Sequence, residues 1–363
     1  MRRTSRIAVA LTASALTLTA CGSEDPVEED SGAGTTPSAE SSEEESAEEE
    51  PEEPAADFQV GMAYDLGGRN DQSFNQAAAT GMDMAADELG VETQESEAQP
   101  GEAESAREER LRTFADAGFN PIIAVGFAYS ASVGKVALEY PEVTFAIVDD
   151  AVEGENVTNL LFAEEQGSFL VGAAAALKSE AGHIGFVGGV EVPLIQKFEA
   201  GYVAGATAVN PDIVVDITYL TQPPDFSGFG DPVKGRTAAD GMYQAGADIV
   251  YQAAGGSGSG VFEGALAAGG LAIGVDSDQY NLVPDAQKPV IMTSMLKKVD
   301  VAVHEFITAF ADRSVEAGPI IFDLESDGVG YATTGGAIDD IAGDLEDFKA
   351  QIIAGDITVP TTP

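Results

Sequence analysis

Six short segments of the chain end an apolar run in residues that can hydrogen-bond or stack. MAYDLGGRNDQSFNQ offers Asp65, two glycines, then Phe74 and Asn75 at the start of a helical pattern. FAIVDD ends on Asp149, and TQPPDFSGFGDP presents Phe226 and Phe229 among prolines and glycines. AAGGSGSG holds Gly255 and Gly256 in a turn, IGVDSDQ carries Asp276, and TSMLKK carries Lys297. Carboxylates accept paired hydrogen bonds from vicinal hydroxyls, and a lysine both donates and offsets their charge. Flanking aromatic faces sandwich a flat ring, and a glycine turn lets backbone amides approach closely. Converging on one cleft, this is chemistry for a sugar joined to a planar base. Singly, each residue has a plainer role: a strand-end Asp caps a turn, a loop Phe covers a core. The glycine turn lacks the Gly-Lys-Ser/Thr ending of a phosphate-binding loop and the spacing of a dinucleotide fingerprint.

Catalysis is the competing reading. A hydrolase acting on a nucleoside needs a clustered carboxylate metal site or a nucleophile beside a base. The two histidines, His183 at the entrance of a strand and His304 inside a helix, stand away from the strand ends in question. Asp276-Ser277-Asp278 could begin a metal site, but no further acidic cluster adjoins it. No catalytic residue, metal or cofactor is expected. A sugar-binding or sensory protein of the same fold is the nearer alternative.

The elements that must position these residues alternate regularly. Strands are expected at Phe58–Tyr64, Val91–Thr93, Pro121–Val125, Thr144–Val148, Thr158–Phe162, Ile184–Val187, Ile213–Tyr219, Asp248–Gln252 and Leu271–Val275. Helices are expected at Ser73–Leu89, Ala103–Ala117, Ser130–Glu139, Ser168–Ser179, Ile195–Val209, Gly235–Ala245 and Ser259–Ala268. Most strands are near-continuous apolar runs, as when helices cover both faces. Gly90, Gly118, Gly246 and Gly269 mark helix stops. The class is α/β with parallel sheets, and the length asks for two of them. Ligands of such sheets sit at the carboxyl ends of the strands, where the six segments fall.

The first 57 residues read differently. Arg2, Arg3 and Arg6 precede the apolar stretch Ile7–Ala20, too short to span a bilayer and suited to a signal peptide. Leu18-Thr19-Ala20-Cys21 resembles a bacterial lipobox, with Cys21 the acceptor of a lipid. Cys21 is the single cysteine, so neither a disulfide framework nor a cysteine zinc site is possible. From Gly22 to Asp57 there are 15 Asp or Glu and no Lys or Arg, the composition of a solvated tether extended by its own charge. From Phe58 onward 47 acidic residues face 14 basic ones, a net of −33. Nucleic acid is thereby excluded as an expected partner, since phosphate contacts need clustered Lys and Arg. So acidic a surface, without Trp, resembles those adapted to high salt, where screening relieves the repulsion.

DLGGRNDQSFNQAAATGM, VGFAYSASVGKVALEYPEVTFAIVDD, NLLFAEEQGSFLVGAAAAL, HIGFVGGVEVPLIQKFEAGYVAG, GFGDPVKGRTAADGMYQAGADIVYQAAGGSGSG and AIGVDSDQ, followed by TSMLKK, resemble the basic membrane protein family of solute-binding lipoproteins, which includes purine nucleoside receptors of ABC importers. The resemblance runs from about residue 60 to 300. It implies the periplasmic-binding type I fold, two doubly wound parallel-sheet lobes joined by a hinge with three crossings. The expected first lobe is 58–160 with about 279–315, and the second about 161–278 with 316–360. It also implies Phe74 and Phe229 on the two faces of a base, with Phe226 a competitor for the second face. Asp65 and Asn75 would lie near the base, Asp149, Asp276 and Lys297 on the ribose hydroxyls, and the backbone of Gly255 (or Gly256) in close contact. The implied partners are a purine nucleoside, the membrane permease of an ABC importer, and the cell membrane through lipidated Cys21. The protein would act as a monomer on the extracytoplasmic face.

Overall fold

The computed structural model describes residues 57–363; the leader, Cys21 and nearly all of the acidic tether lie outside the described residues. The described chain builds two six-stranded sheets. The first contains β1 (Gln59–Tyr64), β2 (Glu92–Glu97), β3 (Ile122–Val125), β4 (Phe145–Val148), β5 (Val157–Phe162) and β11 (Gly318–Phe322). Its order is β11-β5-β4-β3-β1-β2, parallel throughout. The second contains β6 (His183–Val190), β7 (Val214–Thr221), β8 (Ile249–Ala253), β9 (Leu271–Asp276), β10 (Ile291–Lys297) and β12 (Val329–Tyr331). Its order is β12-β10-β9-β8-β6-β7, with only β12 antiparallel.

The apolar runs are buried as their composition requires. All four residues of β3 and of β4 are inaccessible, because helices cover both faces. In the first sheet, Met62 packs with Ala78 and Met82 of α1 (Phe74–Leu89), while neighbouring Ala63 faces Leu111 and Phe114 of α2 (Glu104–Asp116). The second sheet repeats this alternation. Phe186 meets Tyr202 of α5 (Pro193–Val209), whereas Val187 meets Ala239 and Met242 of α6 (Pro232–Ala245). The remaining helices are α3 (Ser130–Glu139), α4 (Glu164–Lys178), α7 (Gly258–Ala268), α8 (Val299–Ala311) and α9 (Ala342–Ile353). Gly90, Gly246 and Gly269 end α1, α6 and α7 in the left-handed conformation that a Cβ disfavours.

Three crossings join the lobes, at Ala163, at Lys298 and between Phe322 and Val329. The expected boundaries need correction here. The stretch 279–297 stays in the second lobe, because β10 pairs with β9 and the crossing comes only after Lys297. Residues 318–322 belong to the first lobe, because β11 adds to the edge of its sheet beside β5. The last residues of those two strands, Phe162 and Phe322, stack with ring centroids 5.2 Å apart. The hinge therefore has an apolar floor, and the strand ends of both sheets open above it.

Candidate functional site

Asp65, Phe74, Asn75, Asp149, Phe229, Gly255, Asp276 and Lys297 all line one cavity between the lobes, about 560 Å³ with its mouth included. That lies within the usual range for small-molecule sites. The cavity takes Gly255 rather than Gly256, and Phe229 rather than Phe226. Phe226 packs against the edge of Phe127 instead, their centroids 5.8 Å apart, and lines an outer groove at the mouth.

Each residue is held by local chemistry. Asp71 caps α1, accepting hydrogen bonds from the backbone N–H groups of Ser73, Asn75 and Gln76. The Asn75 side chain is consumed by its own loop: its Oδ1 accepts from the Asp65 N–H, and its Nδ2 donates to Leu66 O and Asp71 Oδ2. Asn75 thus shapes the wall that holds Asp65. Burial pushes the Asp65 carboxyl up to about 6, although the Leu66 N–H and Arg107 pull the other way. Gly126 opposite has φ +104, and a Cβ there would lie 2.9 Å from Asp65 Oδ2.

At the other end of the cavity Lys297, 2% exposed, closes β10. Its ammonium pairs with Asp149 Oδ2 of the first lobe and stands 3.9 Å from Glu164 Oε1 and 4.0 Å from Asp276 Oδ1. The rings of Phe74, Phe162 and Phe198 surround it, with centroids at 4.7, 5.3 and 5.5 Å. Burial alone would depress the amine, but the three carboxylates outweigh it and raise the pKa, keeping the charge. Asp149 and Asp276 both adopt left-handed backbone, φ 70 and 63, which turns each carboxylate out of its strand. Asp276 Oδ2 accepts from the Ser73 hydroxyl across the cleft, and burial pushes its carboxyl up to about 6 against the pull of Lys297 and Ser73. Asp149 Oδ1 is buried and has no hydrogen-bond partner. An acceptor in that condition fits a donor supplied by a ligand.

Sequence reasoning missed several wall residues. Phe127 follows β3, and Leu194, Ile195 and Phe198 lie in the first turns of α5 after β6. All four obey the strand-end rule that exposed the others. Glu164 touches the Lys297 ammonium from behind the wall, and its only signal is a carboxylate just after β5.

Two doubly wound lobes, three crossings and a polar, aromatic-walled cavity between facing strand ends define a periplasmic-binding protein of type I. The chain belongs to the Bmp family, described as ABC transporter substrate-binding protein PnrA-like, which matches residues 58–362. It is 33% identical over 324 residues to a CD4+ T-cell-stimulating antigen of Listeria monocytogenes, covering 85% of this chain and 89% of that protein. It is 33% identical over 322 residues to the ABC transporter nucleoside-binding protein BmpA of Lactococcus lactis, covering 84% and 90%. A crystal structure of an ABC transporter solute-binding protein from Aeropyrum pernix superposes with a TM-score of 0.72 at 28% identity, covering 84% of this chain and 93% of that one. The chain is accordingly an ABC substrate-binding protein, with a small-molecule ligand and permease subunits as its partners. Among the described residues no helix is long and apolar enough to cross a membrane.

Proposed function

We propose that the protein captures a purine nucleoside outside the cytoplasm and delivers it to its permease while anchored to the membrane by a lipid on Cys21. The observation that carries the nucleoside reading is the polarity of the cavity. Aromatic rings from opposite lobes, Phe74 and Phe229, share it with a carboxylate–lysine cluster that includes an unpartnered acceptor, Asp149 Oδ1. Flat apolar faces suit a base, and paired carboxylates beside an ammonium suit vicinal hydroxyls. The name of the Lactococcus relative supports the same ligand class. The anchor rests on the lipobox-like Leu18-Thr19-Ala20-Cys21 and the acidic tether after it.

The deciding measurement is calorimetry with a panel of purine and pyrimidine nucleosides, free bases and pentoses, alongside identification of any ligand released on denaturation. Tight binding confined to purine nucleosides is expected, and a preference for pentoses alone would overturn the reading. In the same assay Phe74→Ala should weaken nucleoside binding about 5- to 150-fold, since base–aromatic stacking contributes about 1–3 kcal/mol. Unchanged affinity in that variant would move the base away from Phe74.

A further inference from the structure

Glu164 is 1% exposed, lies outside the cavity wall, and is the first residue after a lobe crossing. Its Oε2 accepts a hydrogen bond from Lys197 Nζ at 3.1 Å, and its Oε1 stands 3.9 Å from Lys297 Nζ. Lys197 reaches solvent, with its side chain 35% exposed, so a chain of charges runs from the surface through Glu164 and Lys297 to Asp149 and Asp276. Glu164 and Lys297 also flank two different crossings, so their contact ties the hinge to the site.

We propose that Glu164 is a positioning residue that fixes the Lys297 ammonium from behind the cavity wall and links ligand binding to uptake of a proton. The ligand side of this inference rests on the nucleoside reading above. The groups facing Glu164 are Lys197 on α5, Lys297 on β10 and Asp149 after β4, with Glu165 beside it on α4 and Tyr251 of β8 nearby, while Asp276 on β9 joins them through Lys297. The carboxylates of Glu164, Glu165, Asp149 and Asp276 outnumber the ammonium groups of Lys197 and Lys297, so the cluster can take up a proton. Burial pushes the Glu164 carboxyl up to about 7, against the pull of Lys297 and with a push from Asp149. An uncharged ligand seated on Asp149 and Asp276 displaces the cavity water that screens the Asp149 charge from Glu164, which favours the neutral form of Glu164. The occupied site then holds the proton more tightly than the free site. The resulting stabilisation of the complex is present on the acid side and is lost as pH rises through the bound-state value. Burial pushes the Asp65 and Asp276 carboxyls up only to about 6, and it raises those of Asp71 and Glu165 as well, so the Glu164→Gln variant identifies which carboxyl takes up the proton.

The test is calorimetric titration of the full protein with inosine and with adenosine from pH 6.5 to 8.5, in buffers of different ionisation enthalpy. Binding should take up a fraction of a proton, and Kd should weaken several-fold across the window. One linked proton sets a ceiling of about tenfold per pH unit. Glu164→Gln should abolish the uptake and flatten the profile. Lys197→Met, on the outer side of Glu164, should shift the step to higher pH by removing a partner of the carboxylate. A purely structural Glu164 would instead give a uniform loss with the wild-type profile intact, and that result overturns the proposal. Infrared difference spectra taken without ligand separate the two readings. A protonated-carboxyl band that titrates near neutrality and vanishes in Glu164→Gln supports the hinge acid even if neither nucleoside binds, in which case the nucleoside reading alone falls. Absence of that band overturns the hinge acid whatever binds.

Discussion

At the scale of the residue, Asp149 and Asp276 use one device in two lobes. Each stands at the carboxyl end of a parallel strand, Asp276 as its last residue and Asp149 just after it. Both have positive φ, a conformation costing about 1–3 kcal/mol for a residue other than glycine, and both aim a carboxylate at the cleft. Asn tolerates the left-handed region nearly as well as Asp, so Asp276→Asn changes the charge and spares the backbone. That variant should bind purine nucleosides about 10- to 150-fold more weakly, the value of a charge-assisted hydrogen bond of about 1.5–3 kcal/mol. Free bases should lose far less, and 2′-deoxynucleosides should bind the wild type poorly; calorimetry on matched pairs checks both. Equal losses for nucleoside and base would put the sugar elsewhere. These aspartates were legible because a parallel sheet confines its ligand to the strand ends, so the last apolar residue of each run points to them. Glu164 was not legible. Its meaning depends on Lys297, 133 positions away, and no local pattern announces that the two crossings adjoin.

At the scale of the element, apolar runs carry the strand signal and polar runs do not. β2, with the sequence ETQESE, carries little strand signal, and only Val91–Thr93 is predicted; the strand runs to Glu97 because it is an edge. One neighbour and exposed side chains suffice there, and its charges discourage pairing with another chain. The lobe exchange of 279–297 and 318–322 was hidden for a related reason. Sheet membership is decided by pairing partners, which composition does not encode. Between α4 and α5 the reverse holds: glycines permit an approach that no other residue allows. A Cβ on Gly205 would fall on the carbonyl oxygen of Phe169, and one on Gly201 on that of Glu165. Gly205→Ala should therefore destabilise the protein by about 1–3 kcal/mol and lower the thermal midpoint by several degrees. An unaltered midpoint in a calorimetric scan would mean that the helices slide apart at no cost. Because α5 also carries Lys197 and Phe198, the same variant should weaken ligand binding.

At the scale of the whole molecule, the proposed lipid anchor and acidic tether precede the receptor in sequence, so the anchor can be removed without touching the fold. Cys21→Ser should release the protein from the membrane with its ligand affinity intact, as read by detergent partitioning and calorimetry on the soluble fraction. Retention of the Ser variant in the detergent phase would defeat the lipid anchor. The two-lobed class was legible from length and from the strand–helix alternation, whereas the route of the chain between lobes was not. That route has a consequence for synthesis. When the growing chain has reached Lys297, the first lobe still lacks its edge strand β11 and the second lacks β12. The helix α8 that must cover α1 also lies roughly two hundred residues downstream of it. The first lobe is complete only at β11 and the second only after β12, so both wait on pairings of high sequence separation, which slow folding. For a chain carried across a membrane by the leader expected here, late completion of both sheets would favour transport before the fold closes.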